Sequence, residues 1–140
     1  MASNAKTALG TQLKRGDGGG PEIFTKIAEI KSIKGPSEEA AIIDVTNLDS
    51  TGGYEEYIQG LKKGGTLSMQ ANFVPSDTAY LACRADFLGS VKHNWQIVHP
   101  GGIGTFSFQA FVSKLDHSLD AKSAMEVAID LQITGAVTLA

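Results

Sequence analysis

Three stretches near the C-terminus, in which apolar and polar residues alternate, constrain the fold most strongly. The first ends at Val98 before the turn Pro100-Gly101-Gly102, and the second runs from Gly104 to Leu115. The third follows a polar crossing and alternates from Met125 to Thr134. A period of two is typical of β-strands, and a short glycine-rich turn joins antiparallel neighbours. The chain is therefore predicted to be mainly β, an antiparallel β-sandwich or flattened barrel with one flanking helix.

The phase of each alternation predicts which side chains face the core. The inward set of the last strand is Met125, Val127, Ile129, Leu131 and Ile133, and the outward set is Glu126, Ala128, Asp130, Gln132 and Thr134. An earlier strand, Thr66 to Phe73, alternates as cleanly, with Leu67, Met69, Ala71 and Phe73 inward and Thr66, Ser68, Gln70 and Asn72 outward. A phase shift near Ala110 to Phe111 predicts a β-bulge there.

One helix is predicted between these strands. Pro75-Ser76-Asp77 supplies a side-chain oxygen that can cap free backbone amides, and Gly89 ends the helical pattern. Two apolar ridges follow from the helical spacing, and both are expected to pack on a sheet: Tyr80, Cys83 and Phe87, and then Leu81, Ala85 and Leu88.

The N-terminal part is predicted from its turn residues. Residues 1 to 20 are rich in small and polar residues and in glycine, so we expect a flexible lead-in, followed by a single domain over residues 21–140. One strand is predicted from Ile23 to Ile33, with Phe24, Ala28 and Ile30 facing the core and Gly35-Pro36 ending it. A second strand is predicted from Glu38 to Thr46.

The segment from Asn47 to Gly65 holds no clear strand pattern. Tyr54, Tyr57, Ile58 and Leu61 fall at helical spacing, which predicts a helix of about two turns. So short a helix is marginal in water unless another surface covers its apolar stripe. Two interpretations stay open: the aromatic residues dock on their own sheet, or the segment is an arm that orders against a neighbouring subunit.

The residue pattern gives little support for a catalytic site or a metal site. Cys83 is the only cysteine, so neither an internal disulfide nor a thiolate metal cluster is expected, and we interpret it as a small buried hydrophobe. His93, His99 and His117 belong to three different elements and lack metal-ligand spacing. We expect no enzyme, no cofactor and no metal. No window is long and apolar enough for a membrane span or a signal peptide, so we expect synthesis in a cytoplasm.

Several motifs together resemble the major tail tube protein of long-tailed, lambda-like bacteriophages. They are the Gly35-Pro36 step, the Thr46 to Gly65 stretch, and the turn His99-Pro100-Gly101-Gly102 followed by Phe111-Val112-Ser113. The resemblance covers roughly residues 8 to 135. It implies a virion protein that assembles in the host cytoplasm as stacked rings of six subunits around a tape measure protein. It also implies tail tip and tail terminator proteins as partners, and DNA that passes through the lumen without specific binding.

Charge supports the interpretation as a conduit. The net charge is −3, and lysine and arginine are absent from residues 64–83, 93–113 and 123–140. Walls without cations do not hold phosphate, although β-strands in general also disfavour lysine. We therefore predict a lumen lined by Ser68, Gln70 and Asn72, and secondly by Glu126 and Asp130. By position in the family, the segments predicted to bridge rings are the Thr46 to Gly65 loop, the N-terminal lead-in and the C-terminal tail. Residues 47–65 are the predicted assembly loop, with subunit or ring contacts at Tyr54, Tyr57, Ile58 and Leu61.

The sequence stops after ITGAVTLA, so the extra immunoglobulin-like C-terminal domain of the lambda tail protein is expected to be missing. Two other functions remain open. One is a related phage-derived tube of a bacteriocin or secretion system, and the other is a monomeric β-sandwich binding module.

Overall fold

The computed structural model describes residues 7–102 and 104–140, which form nine strands and one α-helix. The strands are β1 (Gln12–Gly16), β2 (Phe24–Lys26), β3 (Ile30–Lys34), β4 (Glu39–Asp44), β5 (Tyr57–Lys63), β6 (Thr66–Asn72), β7 (Lys92–Val98), β8 (Thr105–Ser118) and β9 (Glu126–Leu139). The helix α1 spans Thr78–Gly89, and short 3-10 turns occupy Thr51–Gly53 and Pro100–Gly102.

Seven strands form one antiparallel sheet in the order β2-β1-β7-β8-β9-β6-β3. Its two edge strands, β2 and β3, are joined by only three residues, Ile27 to Glu29, which reach roughly 10 Å when extended. The backbone N–H of Ile27 donates to the carbonyl of Leu13, and the carbonyl of Glu29 accepts from Asn72, at 3.0 Å each. Because this link bonds to both ends of the sheet, the sheet curls into a flattened barrel. The predicted fold class is confirmed.

The prediction of one strand from Ile23 to Ile33 is wrong, because this link divides the span into β2 and β3. The chain turns at Glu29, whose φ of 56° is incompatible with a continuous strand. As a result Ile27 is buried, whereas Phe24, Ala28 and Ile30 are only half-buried. The expectation of an unpacked lead-in is also wrong for Gln12–Gly16, since β1 pairs with both β2 and β7 and Leu13 is fully buried. Residues 1–6 of that lead-in lie outside the described residues.

The core lies on the concave face of the curled sheet. It takes the predicted inward side chains of β6 and β9, together with Trp95, Phe108 and others from β7 and β8. Met125, predicted to face inward, is instead 46% exposed, because β9 begins one residue later. The bulge predicted near Ala110 lies elsewhere: the β8–β9 register shifts between Val112 and Lys114, and again between Ser107 and Gln109.

The helix is confirmed in its position, and its packing is partly corrected. Asp77 accepts a hydrogen bond from the backbone N–H of Tyr80 at 3.3 Å, and the helix ends in the left-handed residue Ser90. Its buried residues are Ala79, Tyr80, Cys83 and Asp86. The second predicted ridge, Leu81, Ala85 and Leu88, faces solvent, and Phe87 is 40% exposed.

β4 and β5 form a separate two-stranded hairpin that projects from the barrel, and we call residues 39–63 the arm. The predicted two-turn helix is wrong, because Tyr57–Lys63 is a strand paired with β4 and Tyr54 lies in the connecting turn. The strand predicted from Glu38 to Thr46 is confirmed as β4.

Candidate assembly surfaces

The arm leaves its apolar side chains uncovered on both faces. In the β4–β5 register, Ile43 opposes Ile58 on one face, and Ile42 opposes Gln59 on the other. No residue of either strand is buried. An isolated two-stranded hairpin is marginal in water, and a large exposed apolar surface on a monomer marks a contact with another protein. The arm therefore has the composition of a docking element.

The structure places the four predicted interface residues within the arm, all of them exposed. Tyr57, Ile58 and Leu61 belong to β5, and Tyr54 lies at the tip. Sequence reasoning missed the apolar residues that β4 and the turn add to this surface, which are Ile42, Ile43, Val45 and Leu48. The sequence did indicate them, because the predicted strand Glu38 to Thr46 has apolar residues at both odd and even positions, so both of its faces are partly apolar.

The base of the arm is fixed by the backbone around Gly65. Its carbonyl accepts hydrogen bonds from Ile133 N at 3.0 Å and from the Gln132 side-chain amide at 3.1 Å. Its φ is +77°, and a Cβ at this position would overlap the carbonyl oxygen of Ser37. Glycine is therefore required here, and the arm leaves the barrel in one direction set by β9.

The five residues predicted to line a lumen come together on one face of the sheet. In the β6–β9 register, Ser68 opposes Asp130 and Asn72 opposes Glu126, while Gln70 lies between them opposite Ala128. The Ser68 hydroxyl donates to Asp130 Oδ1 at 2.8 Å. We call these five residues and their immediate cross-strand neighbours the polar face.

Neighbouring strands bring three lysines to the polar face that sequence reasoning missed. Lys34 on β3 opposes Ser68, and Lys114 on β8 opposes Asp130. Lys31 forms a salt bridge with Glu126. The strands β6 and β9 carry no cation themselves, but the face they share with β3 and β8 is not free of cations.

On the inner side of α1, the buried carboxylate of Asp86 contacts the side chains of Arg15 and His93. The Arg15 guanidinium donates to both of its oxygens, at 2.6 and 2.7 Å, and His93 Nε2 lies 3.2 Å from Oδ1. Hydrogen bonding to Asp86 is the main cause that raises the pKa of Arg15 above its ordinary value. This fork-shaped pair fastens β1 to α1.

The remaining histidines have structural partners. His117 Nε2 lies 2.6 Å from the Tyr80 hydroxyl, and His99 Nδ1 lies 2.8 Å from the carbonyl of Gly104. Among residues 7–102 and 104–140, no group of three or more His, Cys, Asp or Glu residues is placed to hold a metal ion. Burial raises the pKa of the Cys83 thiol to about 12, which suits the predicted role as a buried hydrophobe.

An open cleft of about 800 Å³ separates the base of the arm from the C-terminal half of β9. Glu39, Lys62 and Lys63 contribute charged side chains to it, while Gln132 and Thr134 contribute polar ones. In the part of the chain that the structure describes, no helix has the length and apolar character needed to cross a lipid bilayer.

Residues 15–140 match the family described as Lambda phage tail tube protein, TTP. The chain belongs to this family. It is accordingly a structural tail tube protein, and the resemblance drawn from its motifs is confirmed. No curated protein sequence matches it.

Solved structures with the tail tube fold cover nearly the whole chain. A chain from the tail of an empty gene transfer agent particle, refined with C6 helical symmetry, has a TM-score of 0.82 at 22% identity and covers 97% of this chain and 99% of that chain. A chain from the anti-feeding prophage baseplate has a TM-score of 0.74 at 10% identity, with coverages of 100% and 97%. A chain from the sheath/tube terminator of the PVC extracellular contractile injection system has a TM-score of 0.74 at 17% identity, with coverages of 100% and 99%.

Proposed function

We propose that this tail tube protein assembles as rings of six subunits that stack into a phage tail, and that DNA leaves the particle through the lumen. The observation that carries the proposal is the arm, whose apolar side chains are exposed on both faces in the single subunit. Six subunits per ring are supported by the fold shared with a tail of C6 symmetry. A heterologous contact that repeats around an axis closes into such a ring.

Within this assembly the arm crosses from one subunit to a neighbour. Tyr54, Tyr57, Ile58 and Leu61, joined by Ile42 and Leu48, supply the apolar contact. The further proposed partners are a tape measure protein inside the tube, a tail tip protein and a tail terminator protein. The protein acts as virion material, assembled in the host cytoplasm, and we propose no catalytic role for it.

The polar face is the proposed wall of the lumen. Of its three lysines, Lys31 is paired with Glu126, Lys114 lies opposite Asp130, and Lys34 lies opposite the hydroxyl of Ser68. A lysine paired with a carboxylate, as Lys31 is with Glu126, attracts phosphate less than a free lysine does, so this wall holds DNA less than three unpaired lysines would.

Assembly tests the proposal directly. The purified chain, concentrated or seeded with tail tips, is expected to form hollow tubes in negative-stain micrographs and to scatter light strongly. Leu61→Asp is expected to leave a folded monomer and to abolish tubes, whereas Leu119→Asp, at an exposed leucine outside the arm, keeps them. Only monomers from the unaltered chain, with seeds present, would contradict the proposal.

Hydrogen exchange tests the role of the arm separately. Amides in residues 47–65 are expected to exchange quickly in the monomer and slowly in the tube, because a neighbouring subunit then covers them. Equal protection in both states would show that the arm does not take part in assembly.

The lumen assignment is tested by adding charge. Ser68→Lys combined with Gln70→Lys is expected to leave tubes intact and to slow DNA ejection from virions, an effect that added salt weakens. Thr78→Lys combined with Ser123→Lys, at two exposed positions outside the polar face, adds the same charge and is the matched control. Ejection of the double variant at the normal rate at low ionic strength would remove these residues from the wall.

A related phage-derived tube of an injection system is the second candidate function. It is favoured by the close match in fold to the anti-feeding prophage and PVC chains, which extends over 100% of this chain. Such a tube uses the same assembly surfaces, and the two functions are told apart by whether purified particles carry DNA.

A further inference from the structure

The outward side of α1 is an unpartnered ridge of leucines around one arginine. Leu81, Arg84, Ala85 and Leu88 follow at i, i+3, i+4 and i+7, so they share one face of the helix, and all four are exposed. The opposite side buries Ala79, Tyr80, Cys83 and Asp86. We call the exposed set the helix ridge.

The helix ridge is apolar and carries a net positive charge. Arg84 makes no hydrogen bond and no ion pair with any residue that the structure describes. The carboxylates at the two ends of the helix are already engaged, because Asp86 binds Arg15 and Asp77 caps the first turn. A partner that covers Leu81 and Leu88 therefore meets a cation that lacks a counter-charge.

The tip of the arm has the complementary character. Asp44, Asp49, Glu55 and Glu56 lie between Ile42 and Leu61, and that stretch contains no lysine or arginine. Leu48 is fully exposed at the tip, and Tyr54 is 78% exposed. Apolar side chains surrounded by carboxylates fit an apolar surface that presents an arginine.

Both surfaces are exposed in the same subunit, and they are not copies of one patch. Two different patches that complement each other make a heterologous contact, which propagates from copy to copy instead of stopping at a dimer. This is the type of contact that a tube requires.

We propose that the arm tip of one subunit docks on the helix ridge of a second copy, with Asp49 facing Arg84 and Leu48 packing against Leu88. The inference rests on the proposed function, and it adds the surface that receives the arm. α1 then has two roles: its inner side closes the core of its own barrel, and its outer side forms the receptor for a neighbour.

Charge reversal tests the pairing. Arg84→Glu and Asp49→Lys, each alone, place like charges together and are expected to raise the protein concentration needed for tube formation by about tenfold or more. The double variant restores opposite charges and is expected to assemble within about threefold of the unaltered chain. Lys26→Glu, at an exposed lysine on β2, is the control that changes net charge as Arg84→Glu does. A double variant no better than the single variants would overturn the pairing.

Cross-linking between chains locates the contact independently of charge. One chain carries Leu48→Cys and another carries Leu88→Cys, and the two are assembled together and treated with a short bismaleimide. The native Cys83 stays buried, so it contributes little background. Covalent dimers from mixed tubes are the expected result. Tubes that form without covalent dimers would overturn the docking on the helix ridge and leave the proposed function standing, whereas an unaltered chain that forms no tubes overturns both.

Discussion

The barrel of this protein buries most of its apolar strand residues, whereas the arm exposes its own. Leu67 and Leu131 in the barrel are fully buried, while Ile42 and Leu61 in the arm are 74% and 87% exposed. The two parts have similar strand chemistry, so the difference lies in what covers them. The barrel completes its core within one chain, whereas the apolar side chains of the arm are left uncovered by that chain. If the arm is the assembly element that we propose, the stability of the subunit and its ability to assemble are encoded in separate residues.

Removing one leucine from each part tests this difference most directly. Leu131→Ala is expected to lower the free energy of unfolding by about 3 kcal/mol, because it leaves a cavity in a packed core. Leu61→Ala is expected to change it by less than about 0.5 kcal/mol and still to impair assembly. Urea unfolding, followed by the fluorescence of the single buried Trp95, measures both values. Equal losses from the two variants would show that the arm belongs to the folding core of the subunit.

The buried ion pair tests how firmly β1 is tied to the barrel. Asp86→Ala removes the carboxylate that neutralises Arg15 and is expected to cost about 3 kcal/mol in urea unfolding. The double variant Arg15→Met with Asp86→Leu replaces both charges by apolar groups and is expected to recover most of that loss. A double variant as unstable as Asp86→Ala would mean that packing, not charge pairing, is lost.

A change at Gly65 tests the junction between the barrel and the arm. Gly65→Ala forces a side chain into a left-handed position and against Ser37, and we expect a loss of about 1 to 2 kcal/mol in the free energy of unfolding. The larger expected effect is on tube formation, because the arm then leaves the barrel in another direction. Gly53→Ala, at an open left-handed position in the tip, is the control for backbone strain alone. Unchanged assembly of Gly65→Ala would contradict the role of the base.

The pH dependence of stability tests the barrel alone, through the buried thiol of Cys83. The folded chain raises the pKa of Cys83 to about 12, above its ordinary value of about 9, so the unfolded chain releases this proton first. Stability is therefore full below pH 9 and falls as the pH rises through this window, by about 1.4 kcal/mol at pH 10. Cys83→Ala is expected to remove this part of the alkaline loss. An identical pH profile for that variant would assign the loss to other groups.

The sequence predicted the barrel better than the arm, for a physical reason. In β6 and β9 one face is buried and the other is polar, so the alternation is visible along each strand. In β5 neither face is buried by its own subunit, and Tyr57, Ile58 and Leu61 fell by chance at helical spacing. Alternation along a strand reveals the strand only where one of its faces is buried and the other is not, and β5 has no buried face.

The elements that sequence reasoning missed depend on partners that are distant along the chain. β1 is a strand because it pairs with β7 and because Arg15 reaches Asp86, 71 residues later. The lysines of the polar face arrive from β3 and β8, and only the register of the sheet places them beside β6 and β9. Local periodicity carries no information about either arrangement.

The short link from Ile27 to Glu29 has a consequence for how the chain reaches its folded state. Because it joins the two ends of the sheet, the barrel closes only when β1 has paired with β7 and β6 with β9, and both pairings join strands that are distant in the sequence. Folds dominated by such distant pairings close slowly, in milliseconds to seconds, whereas a hairpin such as β4–β5 forms in about 1 to 10 μs. The β4–β5 pairing is therefore expected to be sampled before the distant pairings that close the barrel are complete.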